Sequence, residues 1–164
     1  MRRHLSALTA AIALTVAAAA FTPTTVAAFD EASPAATNVD ANRVALHGHD
    51  PVAYFTAGKP TPGDAALAVT HDGAVYHFAS AENMKAFQAE PARYAPQYGG
   101  FCAMGAALGK KFDIDPTQFK VVDGRLFLNK DPQVSVLWNK DVPGHIGKAD
   151  AAWPGIADIA PKAL

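Results

Sequence analysis

Two stretches of the chain carry the same pattern 51 residues apart, and this repeat constrains the fold more than any other feature. Asp72-Gly73 and Asp123-Gly124 both favour a tight hairpin turn, because its two central positions need a positive φ. A short apolar run and a helix-capping residue follow each pair: Ser80 in the first unit and Asp131 in the second. The pattern predicts two hairpin-and-helix units. The alternative is a chance match between two common motifs.

The first unit indicates the fold class. Residues 67–71 and 74–78 flank the turn and predict two antiparallel strands. A two-residue turn places His77 opposite Ala68, so that His77 and His71 are not direct cross-strand partners. A capped helix follows each hairpin, and a last helix closes the chain. We therefore expect a small α+β domain with short antiparallel β-hairpins and packed helices.

The first residues have the three-part layout of a secretory signal peptide. Arg2-Arg3 precedes an apolar run that is short and alanine-rich for a membrane span, and small residues before Phe29 suit a signal peptidase. Export to the periplasm or out of the cell is the expectation. The predicted divisions are a signal peptide (1–28), a flexible linker (29–43), a folded domain (44–158) and a tail (159–164).

Charge and cysteine content exclude several classes of partner. The chain has 14 Lys and Arg against 15 Asp and Glu, and two of the arginines leave with the signal peptide. No basic surface is then expected for nucleic acid or anionic lipid, and no membrane span remains after cleavage. Cys102 is the one cysteine, so an exported chain carries an unpaired thiol without an internal disulfide.

Three segments resemble the YHS domain, in the version found in small exported bacterial proteins. They read GHDPVAYF at 48–55, GAVYHFAS at 73–80 and PARYAPQYGGFCA at 91–103. The resemblance implies a domain that is commonly proposed to bind metal and that occurs attached to metal-transporting ATPases and some oxygenase components. Metal-associated members tend to carry more than one cysteine, whereas this chain has one.

Cys102 and Met104 are the first candidate metal ligands. A helix over residues 101–108 would put Cys102 in its first turn, where unpaired N–H groups and the helix dipole favour a thiolate. A thiolate with a thioether suits Cu(I). Side chains at i and i+2 do not share a helix face, so joint ligation requires a non-helical segment. The alternative is that both residues pack as buried hydrophobes.

Histidines and aromatic residues supply the remaining candidates. His47, His49 and His77 are candidate ligands for a copper or zinc ion, although His77 also suits a structural, hydrogen-bonded role. A small cofactor or ligand pocket is predicted at the double glycine, where aromatic rings can form its walls. The residues of that pocket are Tyr98, Gly99, Gly100 and Phe101.

These observations favour binding over catalysis. The leading hypothesis is an exported metal-binding module that holds copper or zinc through Cys102. The alternatives are a small-ligand or protein-interaction module with a structural Cys102, and a thiol redox protein, against which the missing second cysteine counts. No catalytic residue is assigned, because the linear sequence places no base beside the thiol.

Overall fold

The computed structural model describes residues 29–164, so the predicted signal peptide lies outside the described residues. The strands are β1 (Asp64–His71), β2 (Ala74–Phe78), β3 (Asp115–Val122) and β4 (Arg125–Asn129). The α-helices are α1 (Ala53–Thr56), α2 (Ala81–Ala89), α3 (Pro91–Tyr94), α4 (Ala103–Ala107), α5 (Pro132–Trp138) and α6 (Val142–Ile156). Short 3-10 helices cover Leu46–Gly48, Gln97–Gly100 and Pro161–Ala163. The predicted α+β class is confirmed.

The two predicted units have the same local structure. β1 pairs with β2 and β3 pairs with β4, both antiparallel, in two separate two-stranded sheets. Their turns hold Asp72 and Asp123 at φ 47 and 50°, each followed by a glycine at φ 73°. Every strand of the second unit begins and ends 51 residues after its counterpart. The Asp-Gly pairs therefore form the positive-φ turns that a tight hairpin requires.

The helix caps and the strand register also follow the sequence. Ser80 Oγ accepts a hydrogen bond from Asn83 N at 3.1 Å, and Asp131 Oδ1 accepts one from Val134 N at 2.8 Å. Each cap satisfies an N–H group that the first helical turn leaves unpaired. Ala68 pairs with His77, as the two-residue turn predicts.

Each unit buries one large aromatic residue from its helix. Phe87 of α2 is 0% exposed and contacts the rings of Tyr76 and Phe78. Trp138 of α5 is 1% exposed and packs against Phe127, in a second core to which α6 contributes. Burying side chains of this size stabilises the fold by about 2–3 kcal/mol each. The repeat thus extends from the turns to the core.

Part of the segment predicted as a flexible linker packs against the domain. Asn38 is 5% exposed, and its backbone N–H donates to Gly99 O at 2.8 Å. Its side-chain amide donates to Gly100 O at 3.3 Å and to Asp113 Oδ1 at 2.9 Å. These bonds satisfy polar groups that would otherwise be buried without partners. The linker prediction is therefore corrected here: residues near 38 belong to the folded unit, and the domain begins before Val44.

The predicted tail is also held to the domain. Lys162 N donates to Glu31 O at 3.0 Å, which joins the two ends of the described chain. Ile159 O accepts a hydrogen bond from the buried Lys111 Nζ at 2.9 Å. Among residues 29–164, no helix has the length and hydropathy needed to cross a bilayer.

Candidate functional site

Cys102 is the N-cap of α4 and has non-helical backbone angles, with φ −56° and ψ 119°. The helix predicted over residues 101–108 therefore begins at Ala103, one residue after Cys102. Cys102 precedes the helix, whereas Met104 lies in its first turn. Both residues line one cavity of about 200 Å³, which we call the Cys102 pocket. The other residues that line it are Gly105, Leu108, Phe112, Lys130, Asp131, Val134 and Leu137.

The thiol is buried and protonated. Cys102 is 1% exposed, and its Sγ–H donates to Asn129 Oδ1 at 3.7 Å. Burial raises the pKa of the Cys102 thiol, and hydrogen bonds from the backbone N–H groups of Gly105, Lys130 and Met104 offset only part of that rise. The prediction of a thiolate favoured by the helix end is therefore corrected, because desolvation outweighs the dipole of a five-residue helix.

In the first unit, the Asp50 carboxylate accepts hydrogen bonds from three backbone N–H groups and one side-chain amide. Its Oδ1 accepts from Val52 N at 2.8 Å and from Ala53 N at 3.3 Å. Its Oδ2 accepts from Ala79 N at 2.8 Å and from Asn83 Nδ2 at 2.7 Å. The side chain is fully buried, and four N–H donors satisfy a carboxylate at that depth.

Cys102 occupies the corresponding place in the second unit. It lies three residues before Gly105, whose N–H donates to Cys102 Sγ at 3.4 Å, just as Asp50 lies three residues before its donor Ala53. The backbone N–H of Lys130 also lowers the pKa of the thiol, and Lys130 directly follows β4 as Ala79, a donor to Asp50, follows β2. The second unit therefore offers backbone donors for a negative charge at Cys102 Sγ once its proton is displaced.

The histidine candidates lie away from this pocket. His47 Nε2 contacts Asp113 Oδ1 at 2.8 Å, and His49 Nδ1 lies 3.1 Å from Leu46 O. His77 lies against Gly48, and none of the three histidines lines the Cys102 pocket. In the part of the chain that the structure describes, no three His, Cys, Asp or Glu side chains come together as a metal site. Of the five candidate ligands, the structure brings together Cys102 and Met104.

The double-glycine segment contacts the chain's own backbone. A Cβ on Gly99 would clash with the backbone of Ala36, so this segment packs closely against the chain itself. Tyr98 is 5% exposed and donates its hydroxyl proton to Asp150 Oδ1 at 2.9 Å. Phe101 is 3% exposed and packs on Trp153. Both rings are buried in the domain, and the ligand pocket at this segment stays a prediction.

Asn129 is the site residue that the sequence analysis missed. It is 2% exposed, and its Oδ1 accepts from both Cys102 Sγ–H and Met104 N. The repeat contains the signal that could have found it: Asn129 lies 51 residues after Phe78, so a polar residue replaces an aromatic one at a core position. A buried amide is kept in such a place when its hydrogen bonds are satisfied.

The contact between His47 and Asp113 predicts a pH dependence. The hydrogen bond to Asp113 raises the pKa of His47 above 6.5, against the effect of burial. Burial alone would raise the pKa of Asp113, but hydrogen bonds from His47 and Asn38 lower it below 3.8. The His47 contribution to stability is complete below pH 6.5 and is lost as pH rises through the raised pKa. The Asp113 contribution is lost as pH falls through the lowered one.

The pair therefore stabilises the fold most between about pH 4 and 6.5, by less than about 1 kcal/mol because both groups are partly exposed. We expect an NMR titration to place the pKa of His47 above 6.5 and Asp113→Asn to lower it. Asp123→Asn, in the distal turn, is the control and should leave the His47 titration unchanged. An equal pKa in the wild type and Asp113→Asn would contradict the assignment.

These features define the class of protein: a small α+β domain with a buried thiol at the edge of a pocket. Residues 52–98 match the family model described as YHS domain. The resemblance to the YHS domain seen in the sequence is therefore confirmed over residues 52–98. The match begins after His49 and ends before Cys102, so it covers His77 alone among the candidate metal ligands. No curated protein and no solved structure matches the chain.

Proposed function

We propose that this chain is a metal-binding module that holds Cu(I) between Cys102 Sγ and Met104 Sδ. The observation that carries the proposal is that Cys102 and Met104 line the same pocket. Soft sulfur ligands select Cu(I), whereas structural zinc takes four ligands from Cys, His and carboxylates. No group of even three such side chains forms within residues 29–164, which favours copper over zinc. Export to the periplasm or beyond the cell is part of the same proposal.

The pocket residues present fit a soft ion of low coordination number. Cys102 would bind as a thiolate, and the N–H groups of Gly105, which already donates to Sγ at 3.4 Å, and of Lys130 would compensate the charge that its sulfur gains. The loss of the thiol proton frees Asn129 Oδ1, which keeps its bond from Met104 N. Apolar side chains form much of the pocket wall, and soft ligands suit the monovalent ion.

The test is anaerobic Cu(I) titration in competition with a chromophoric chelator. The wild-type chain should bind one ion more tightly than micromolar. Cys102→Ala should weaken binding by more than about 100-fold and Met104→Leu by at least about 10-fold, since even outer partners of a metal site are worth about 10–100-fold. Met84→Leu is the matched control, because Met84 is a partly buried methionine elsewhere in the core. Its affinity should equal that of the wild type.

Circular dichroism must show that each variant is folded before its affinity is interpreted. Wild-type binding weaker than micromolar, or binding that Cys102→Ala leaves unchanged, would contradict a copper site at Cys102. Equal losses in Met104→Leu and Met84→Leu would assign the effect to core packing and remove Met104 from the site.

A second candidate function is the binding of a small apolar ligand over an intact thiol. Leu108, Phe112 and Leu137 line the pocket and are 64%, 40% and 45% exposed, which is a high exposure for grouped apolar side chains. The raised pKa of Cys102 also favours the neutral thiol. This candidate predicts no Cu(I) binding and a thiol that iodoacetamide modifies only when the chain unfolds. Rapid alkylation of the folded chain would contradict it.

A further inference from the structure

A second cavity, of about 380 Å³, lies beside the first hairpin and α6. It shares no lining residue with the Cys102 pocket. Its volume is within the range of about 300–1,000 Å³ that is usual for small-molecule sites. We call it the Arg43 cavity, and the lining residues on which the argument depends are Arg43, His71, Asp72, Tyr76, Pro96 and Trp153.

Tyr76 carries a hydroxyl group that no described residue satisfies. The residue is 3% exposed, yet its oxygen makes no hydrogen bond with any group of residues 29–164. Among residues 29–164, Trp138 Nε1 is the one side-chain polar atom that is both fully enclosed and without a hydrogen-bond partner. The Tyr76 hydroxyl also has no partner in this range, so it is not fully enclosed and opens to the cavity that Tyr76 lines. Burial, and then the charge of Asp72, raise the pKa of Tyr76 to about 12. The hydroxyl is therefore a neutral donor at physiological pH.

Comparison of the two units shows that the fold does not need this hydroxyl. The residue equivalent to Tyr76 in the second unit is Phe127, which is 0% exposed and packs against Trp138. Val122 likewise stands where the first unit has His71. The first unit therefore adds two polar groups to the cavity at positions where the second unit is apolar.

Arg43 is exposed and brings a positive charge to the same cavity. Its Nε donates to Gly73 O, which holds the side chain against the hairpin turn. Its two Nη atoms make no hydrogen bond or ion pair with the described residues. A guanidinium group anchored in this way presents a planar pair of donors that matches a carboxylate.

The other charged groups at the cavity leave this donor pair available. His71 Nε2 lies 3.3 Å from Asp72 Oδ2, so these two side chains satisfy one another. The Asp72 side chain is 84% exposed, and water and salt screen most of its repulsion of an anion. Trp153 and Pro96 supply apolar wall to the same cavity.

We propose that the Arg43 cavity binds a small organic acid with an apolar body. The carboxylate would pair with the Arg43 guanidinium and accept a hydrogen bond from the Tyr76 hydroxyl, while the body packs on the Trp153 indole. The proposal rests on neither the thiol nor the copper site.

The experiment is an NMR titration of the full chain at pH 7 with benzoate, phenylacetate and indole-3-acetate, and with the neutral amide of each. At least one acid should bind saturably and shift the resonances of residues that line the cavity, and its amide should bind at least about 10-fold more weakly. Arg43→Gln should weaken that acid by at least about 10-fold and Arg43→Lys by less, since lysine keeps the charge but not the planar fork. Tyr76→Phe should weaken it about 3–10-fold.

Arg93→Gln is the matched control, because Arg93 is an exposed arginine of α3 that does not line the cavity. Its affinity for the acid should be that of the wild type. Tyr76→Phe should keep the wild-type melting temperature, as expected from Phe127 in the second unit. The proposal is overturned if all three acids fail to saturate below about 10 mM, if an amide binds as tightly as its acid, or if Arg43→Gln leaves the affinity unchanged.

Discussion

Replacing Lys111 with methionine is expected to lower the free energy of unfolding by about 3–5 kcal/mol. Lys111 is 2% exposed, and its ammonium group donates to Ala35 O and Ala157 O at 2.8 Å each and to Ile159 O at 2.9 Å. Those three bonds use all three ammonium protons. Methionine has a similar length but no donor, so three carbonyl groups lose their partner at once.

The bonds of Lys111 connect the segment before the first unit to the segment after α6. Its Nζ also lies 4.5 Å from the centroid of the Phe101 ring, and burial lowers the pKa of this lysine. Urea unfolding followed by circular dichroism measures the loss. Lys110→Met is the matched control, since Lys110 is the exposed neighbour and should change stability by less than about 0.5 kcal/mol. A loss below about 1 kcal/mol in Lys111→Met would refute the role assigned to the ammonium group.

Asp50→Ala is expected to destabilise the chain by a similar amount, about 3–5 kcal/mol. Its carboxylate joins the loop before α1 to the loop before α2 through Val52, Ala53, Ala79 and Asn83. Removal of the side chain leaves four donors without an acceptor, and the two at Val52 and Ala53 are buried. Asp50→Asn should not restore stability, because its amide nitrogen would face N–H groups.

Asp131→Ala provides the graded control for Asp50→Ala. Asp131 accepts one hydrogen bond, from Val134 N, as a helix cap. Its loss should cost about 1 kcal/mol, the usual value for a cap. The free energies come from urea unfolding of the same chain. Equal losses in Asp50→Ala and Asp131→Ala would show that Asp50 acts as a simple cap and not as the link between two loops.

The two units have the same frame and different chemistry. The first carries a carboxylate, Asp50, at the place where the second carries Cys102. The second in turn has apolar Phe127 where the first directs the Tyr76 hydroxyl into a cavity. For each proposed site, the other unit has the same backbone but a different side chain: Asp50 instead of the Cys102 thiol, and Phe127 instead of the Tyr76 hydroxyl. That comparison separates residues that serve the fold from residues that are available for binding.

Local signals in the chain were sufficient to predict the hairpins, the caps and the repeat. Asp-Gly pairs and capping residues act within a few positions, so their effect does not depend on the rest of the fold. The helix after Ser80 and the final helix carrying Trp153 were predictable for the same reason. The sequence indicated Cys102 and Met104 as candidate ligands, but whether both line one cavity depends on where α4 begins.

The sequence by itself determined the α+β class, the hairpin register and the identity of the single thiol, because each depends on short-range geometry or on residue type alone. The tertiary structure alone decided that Asn38 and Lys111 tie the terminal segments to the domain and that Asn129 contacts the thiol. It also decided that Arg43 and Tyr76 line one cavity. Such contacts join residues far apart in the chain, and burial, which raises the pKa of Cys102, depends on how all of these segments pack together.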